Sequence, residues 1–312
     1  MAKEPKPKKE KITKVELKRQ SWLLIMSAIF VVYGIIFYYL PLGGWIMAFQ
    51  NYKPKKGLLH SQFVGLDKFK FLFDPTVQFG QVVRNTLAMG VLNLVTTFVL
   101  AIVFAILLNE VKNKFFKKSV QTISYLPHFL SWIIVCGIIH DSLSSTGIIN
   151  ELLMKWGWIE SEINFFAHPG YFWPIVAIAN CWKETGWNAI IYLAAITSID
   201  PSLYEAADMD GANRFQKIKY ITIPGIKSTI MILLVMNLGN VINAGFEIQY
   251  LLKNGLIQNV ARTIDIFVLD WGISQNDFSL GTAAGIFKSA VSILLIVLGN
   301  FVAKKMGEEH LF

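Results

Sequence analysis

Cysteine, charge and catalytic strings are all scarce in this chain. Two cysteines, Cys136 and Cys181, occur in 312 residues, which excludes a disulfide framework. Both lie in apolar runs and read as core-filling side chains, since a free thiol packs as a small hydrophobe. Charged residues make up 16%, against about 25% in a soluble domain, so most soluble enzymes are excluded. None of the five histidines (His60, His128, His140, His168, His310) forms H-x-x-x-H or H-E-x-x-H, and no Cys/His cluster suggests a metal. The G-x-x-x-x-G-K-[ST] phosphate loop and the G-x-S-x-G elbow are missing as well. The chain is therefore not expected to be an enzyme, nor to hold a cofactor of its own.

Apolar residues are abundant, at 54%, and aromatics reach 13%. Mean hydropathy is +0.48. Six apolar stretches stand out, at 22–49, 85–108, 120–139, 171–199, 227–250 and 280–303. Each reaches about 20 residues, enough to cross hydrocarbon as a helix. Inside lipid the backbone must satisfy its own hydrogen bonds, so each stretch is expected to be helical. The fold class expected is all-α, a polytopic membrane protein of six transmembrane helices. The first stretch is too long for a signal-peptide core of about 7–15 residues, and no A-x-A site follows it; it is expected to be an uncleaved span.

Basic residues orient the spans. The tail at 1–20, the connections after the second and fourth stretches, and the C-terminus together carry 18 Lys and Arg, against 9 on the opposite side. This bias places both termini in the cytoplasm. The lysine-rich tail has too few apolar residues to fold alone and is expected to be disordered. Its charge is the ordinary topology signal, so no nucleic-acid partner is expected. Residues 21–312 then form the transmembrane domain. The outer connections, 50–84, 140–170 and 251–279, are longer than tight turns need; they can dock an external partner or cap the bundle. Asp265 and Asp270 fall in the last of these and are expected to be solvated or docking residues.

The connection at 200–225 is unlike a plain loop. Asp200 is a good N-cap and Pro201 suits the first helical position. Leu203, Ala206, Ala207 and Asp210 follow with helical spacing, and Gly211 suits a helix end. A second short helix can start near Asn213, with Pro224 ending it or kinking into the fifth stretch. Periodicity alone leaves open whether this hairpin docks a partner or lies on the inner leaflet.

The ordered string within it is Glu205-Ala206-Ala207, three residues, Gly211, nine residues, then Ile221-Thr222-Ile223-Pro224. It resembles the cytoplasmic signature of permease subunits of binding-protein-dependent ABC importers, E-A-A, three residues, G, nine residues, I-x-L-P. Ile223 in place of Leu is the one departure. The resemblance implies the type I importer permease fold. It also implies a bacterial plasma-membrane location and a coupling loop built from Glu205, Ala206, Ala207, Asp210, Gly211, Arg214 and Pro224. That loop would dock on a separate ATPase, which would bind the ATP and Mg. The implied partners are a second homologous permease, two ATPase subunits and an extracytoplasmic binding protein, beside membrane lipid. The stretch Phe63-Val64-Gly65-Leu66-Asp67-Lys68-Phe69 resembles the F-x-G-L-x-N-F loop of the maltose-type carbohydrate-uptake branch, with Lys68 where Asn is usual. Strings in the C-terminal third, such as Asn237-Leu238-Gly239-Asn240 and Ala284-Gly285-Ile286-Phe287-Lys288-Ser289, look like the oligosaccharide subgroup. A sugar substrate is implied; a peptide or phosphate-ester importer, or an ion-driven transporter, is the alternative.

Polar groups inside a membrane are functional candidates by default. Asn237, Asn240, Ala244 and Glu247 share one helical face at 100° per residue, with Asn243 at its edge. Such a face can bind sugar hydroxyls or join helices. Lys183, Glu184 and Trp187 lie in the middle of the fourth stretch; adjacent Lys183 and Glu184 point apart and need not pair, and Trp187 can stack on a sugar ring. Lys288 is expected to meet Glu247 or an acidic sugar. Asn85, Asn93, His128 and Trp132 are expected to be structural.

Overall fold

The computed structural model describes residues 14–305, almost all of them helical. The tail before Lys14 lies outside the described residues. Lys14–Arg19 forms a short helix, α1, where the composition predicts disorder. Helix α2 covers Ser21–Gly34 and continues through a π turn at Ile35–Tyr39 into a tighter helical segment at Leu40–Phe49. Ser21–Tyr39 buries no residue in this chain. Only the Leu40–Phe49 end packs, against the last helix.

The helices that follow include α3 (Phe79–Glu110), α4 (Lys114–Tyr125), α5 (Trp132–Leu143), α6 (Ile148–Lys155), α7 (Pro169–Thr197), α8 (Pro201–Met209), α9 (Arg214–Lys217), α10 (Lys227–Asn240), α11 (Phe246–Leu252) and α12 (Phe278–Lys305). Among the described residues, the helical stretches Ser21–Phe49, Phe79–Glu110, Trp132–Lys155 and Phe278–Lys305 are long and apolar enough to cross a membrane. The pair Arg214–Gly225 and Lys227–Asn240, bent by 60°, qualifies as a fifth. A two-stranded antiparallel ribbon, β1 (Gln50–Asn51) with β2 (Gln62–Phe63), lies in the connection at 50–84, Gln50 opposite Phe63.

Two expected spans are not single helices. The stretch at 120–139 is divided between α4 and α5. Pro127 supplies no N–H to continue α4, Leu130 is extended, and Ser131 caps α5 by accepting from the Ile134 N–H. The stretch at 227–250 stops at Asn240 and restarts at Phe246, with Gly245 at φ +84° directly before the restart. That left-handed conformation cannot continue a right-handed helix.

Helices α3 and α7 pack along each other and form the spine; α12 packs on α10 and on Leu40–Phe49. Three apolar clusters fill the bundle. One surrounds Phe79, Phe267 and Leu280, one Met89, Phe172 and Ile248, and one Ala105, Tyr192 and Ile226. Glycine allows the closest crossings. A Cβ on Gly186 of α7 would lie 2.1 Å from the Ser124 carbonyl oxygen of α4.

Candidate functional site

The connection between α7 and α10 is a helical hairpin with local signals at every turn. The Asp200 side chain accepts from the Ser202 N–H at 2.9 Å, and Pro201 follows at the first helical position. The same Ser202 hydrogen bond holds the Asp200 carboxyl below the usual carboxylate range. This cap therefore supports α8 above the ordinary carboxylate range and is lost as pH falls through the lowered value. Helix α8 ends with the Ala212 N–H donating to Ala207 and the Gly211 N–H to Asp208, at 2.9 and 3.1 Å. Gly211 sits at φ +75°, the left-handed stop of a Schellman turn. Helix α9 opens with a reciprocal capping box between Asn213 and Gln216. A π turn at Ile218–Thr222 and a single turn at Ile223–Gly225 lead into α10.

Of the predicted coupling residues, Glu205, Ala206, Asp210, Gly211, Arg214 and Pro224 are exposed, and Ala207 is half-buried. Sequence reasoning missed the apolar crest beside them: Met209 is 89% exposed, Phe215 84% and Leu203 51%. Large apolar groups in the open on a polar hairpin mark a docking surface. Phe215 points into the open, whereas Ile218 is half-buried and Thr222 buried.

The second site is a cavity of about 230 Å³ between α3, α7 and the end of α10. Its polar lining is Asn93 and Thr97 from α3, Glu184, Asn188 and Tyr192 from α7, and Asn237, Asn240 and Asn243 at the fifth stretch. The predicted helical face thus survives only in part. Asn237, Asn240 and Asn243 reach the cavity, and Asn243 donates to the Asn240 side chain at 3.2 Å. Glu247 lies beyond the Gly245 break and does not line it. No Lys or Arg among the described residues lines this cavity.

Glu184, the one charged group in the lining, is held from behind. Its carboxylate is 2.8 Å from His128 Nδ1 and 3.5 Å from Lys183 Nζ. Lys183 is buried, donates to the His128 carbonyl at 2.6 Å and lies over the Trp132 ring. The adjacent pair therefore does meet, because the α4–α5 break delivers His128 between its members. Trp187 stacks flat on the His128 imidazole, centroids 4.4 Å apart, so one of its faces is closed to a sugar ring. His128 and Trp132 were predicted to be merely structural, and their place beside the cavity carried no local signal. Asn85 is structural: it donates to the Asn259 and Arg262 carbonyls.

Lys288 does not line the cavity, and its ion-pair partner is not Glu247. It pairs with Asp265 at 2.6 Å. Asp270 pairs with Lys253 and Arg262 at 3.5 and 3.3 Å. The two aspartates, expected to be solvated or docking residues, thus brace the connection at 251–279 and tie it to α12. Among the described residues no group of three or more His, Cys, Asp or Glu converges on a metal position.

Residues 97–308 match the family described as binding-protein-dependent transport system inner membrane component. The chain is 43% identical to the polygalacturonan/rhamnogalacturonan transport system permease protein YteP of Bacillus subtilis strain 168, over 98% of this chain and 95% of the relative. It is 42% identical to protein LplB of the same organism, over 95% and 92%. Among solved structures, a chain of a bacterial alginate ABC transporter, in complex with an alginate pentasaccharide-bound periplasmic protein, superposes with TM-score 0.87. That likeness is at 37% identity and covers 95% of this chain and 99% of the other.

Proposed function

Because the chain belongs to the binding-protein-dependent transport system inner membrane component family, we propose that it is the permease subunit of an ABC importer for a sugar, in particular an oligosaccharide. It is a multi-pass component of a bacterial plasma membrane with the type I importer permease fold. It supplies path and coupling, while a separate ATPase hydrolyses ATP. The complete assembly has a second homologous permease, two ATPase subunits and an extracytoplasmic binding protein that delivers the sugar. Six spans with both termini in the cytoplasm put the Glu205–Pro224 hairpin on the same side as the ATPase.

The observation that carries the reading is that hairpin. It is a rigidly capped helix pair with an exposed apolar crest, rooted between α7 and the helix that leads to the cavity. An ion-driven transporter would leave it without a task. The sugar rests on the relatives named polygalacturonan/rhamnogalacturonan and alginate transporters. It rests also on the amide-lined cavity, since carboxamides both donate to and accept from hydroxyls.

The test is ATP hydrolysis by the reconstituted assembly with loaded binding protein, wild type against Glu205→Ala. Stimulated hydrolysis is expected to fall with loss of the ATPase subunits from the variant. An unchanged complex with unchanged stimulation overturns the coupling reading. A second prediction concerns the path. Asn237→Leu removes hydroxyl partners worth about 1 kcal/mol, so the half-saturating sugar concentration for uptake is expected to rise about fivefold with basal ATP hydrolysis unchanged. Uptake kinetics identical to wild type would remove Asn237 from the path.

A further inference from the structure

The hairpin is tied to the fifth stretch by a side-chain contact that no motif marks. Tyr204, immediately before Glu205, brings its hydroxyl to 2.9 Å from Thr222 Oγ1. Thr222 is 2% exposed and closes the π turn that precedes α10. Nearer the tip, Lys217 pairs with Asp208, so the two arms are joined twice. At the root, Ile226 is fully buried beside Ile196 and Tyr192 of α7, with Ile199 and Ile218 packed against it. A Cβ on Gly225 would lie 2.6 Å from Ile199 Cδ1. From there α10 departs at 60° and carries Leu233, Asn237 and Asn240 to the cavity.

Besides the exposed Lys217–Asp208 pair near the tip, two routes lead out of α8. One is the backbone at Asp200, which joins it to α7. The other runs through Tyr204 and Thr222 into α10. Along the chain, α8 reaches α10 only the long way round, through the Gly211 turn and α9. Resting on the coupling-loop reading, we propose that Tyr204 and Thr222 are positioning residues: their hydrogen bond makes α8 and the root of α10 move as one body, so a displacement imposed at the ATPase reaches the cavity.

A half-buried bond of this kind turns α8 from a lever into a pivot when it is removed. π turns inside helices are recurrent functional sites, and this one places the buried hydroxyl where the hairpin joins the span. Losing either hydroxyl leaves the apolar crest and Glu205 in place, so ATPase docking is retained while its motion is relayed poorly.

The experiment uses the whole assembly in proteoliposomes with loaded binding protein, and measures sugar uptake and ATP hydrolysis together. In Tyr204→Phe and in the isosteric Thr222→Val, the ATPase subunits are expected to remain bound and stimulated hydrolysis to stay within about twofold of wild type. Sugar imported per ATP is expected to fall about fivefold, the loss of one hydrogen bond. Thr222→Ser, which keeps the hydroxyl, is expected to restore the ratio. An unchanged ratio in Tyr204→Phe overturns the proposal, as does a parallel loss of hydrolysis and uptake in both variants, which marks a structural role only. Glu205→Ala run beside them separates the two claims. If that variant keeps its ATPase and its stimulation, the coupling reading itself fails, whatever Tyr204→Phe does.

Discussion

Gly90→Ala is expected to abolish uptake and to lower the apparent unfolding temperature of the detergent-solubilised complex. Gly90 lies within α3 on the cavity wall. A Cβ there would stand 1.7 Å from the Val241 carbonyl oxygen and 2.7 Å from its carbonyl carbon. Both atoms are backbone, and the Val241 N–H is itself bonded to Leu238 at 3.3 Å, so no side-chain rotation relieves the clash. Overpacking that forces off-rotamer side chains and backbone shifts costs about 1–3 kcal/mol, and with backbone atoms in the way the cost here is expected at the upper end of that range. The displaced segment is the one that ends α10 and presents Asn240 and Asn243 to the cavity, so the path changes shape with the fold. Gly137→Ala is the control. Gly137 has nothing within 4 Å of a Cβ, and alanine favours the helix by up to about 1 kcal/mol. Wild-type stability in Gly90→Ala would show that α3 and Val241 are not in backbone contact in the membrane.

Lys183→Met is expected to destabilise by about 2 kcal/mol, since hydrogen bonds to charged groups are each worth about 1.5–3 kcal/mol. The lysine is buried and donates to the His128 carbonyl at the break between α4 and α5. Methionine fills the same volume but leaves that carbonyl without its donor and Glu184 without its nearest permanent cation. The Glu184 contribution is the smaller one, because its side chain is 25% exposed and solvent screens the pair. Thermal unfolding of the single variants and of Lys183→Met/Glu184→Gln forms a double-mutant cycle. The double variant is expected to lose less than the sum of the singles, as contacting residues do. Strict additivity would show that the two side chains act independently and that the His128 carbonyl bond alone holds the break.

The contrast between these regions is one of range along the chain. At the hairpin each structural decision is made within a few residues: Asp200 caps through Ser202, Gly211 stops α8 through Ala207 and Asp208, and Asn213 and Gln216 cap each other. Those interactions can be read from adjacent letters, and so could the long helices α3 and α12, whose apolar length sets their existence. The positions of breaks were less legible. Pro127 lay inside an apolar run, and Gly245 reads as one glycine among 22, although its left-handed backbone ends the amide face short of Glu247.

The sequence by itself determined the class of this protein, a helical membrane component, and the hairpin on which its family resemblance rests, because span length, caps and turn residues act locally. Only the tertiary structure decided which polar groups face the cavity, that Lys288 is matched by Asp265, and that His128, 56 residues from Glu184, meets it and stacks on Trp187. The His128 contacts depend on how α4 and α7 meet, and the cavity lining on how α3, α7 and α10 meet. Close backbone approach sets the α4–α7 crossing at Gly186 and brings α3 against the end of α10 at Gly90, and no periodicity along the chain encodes either.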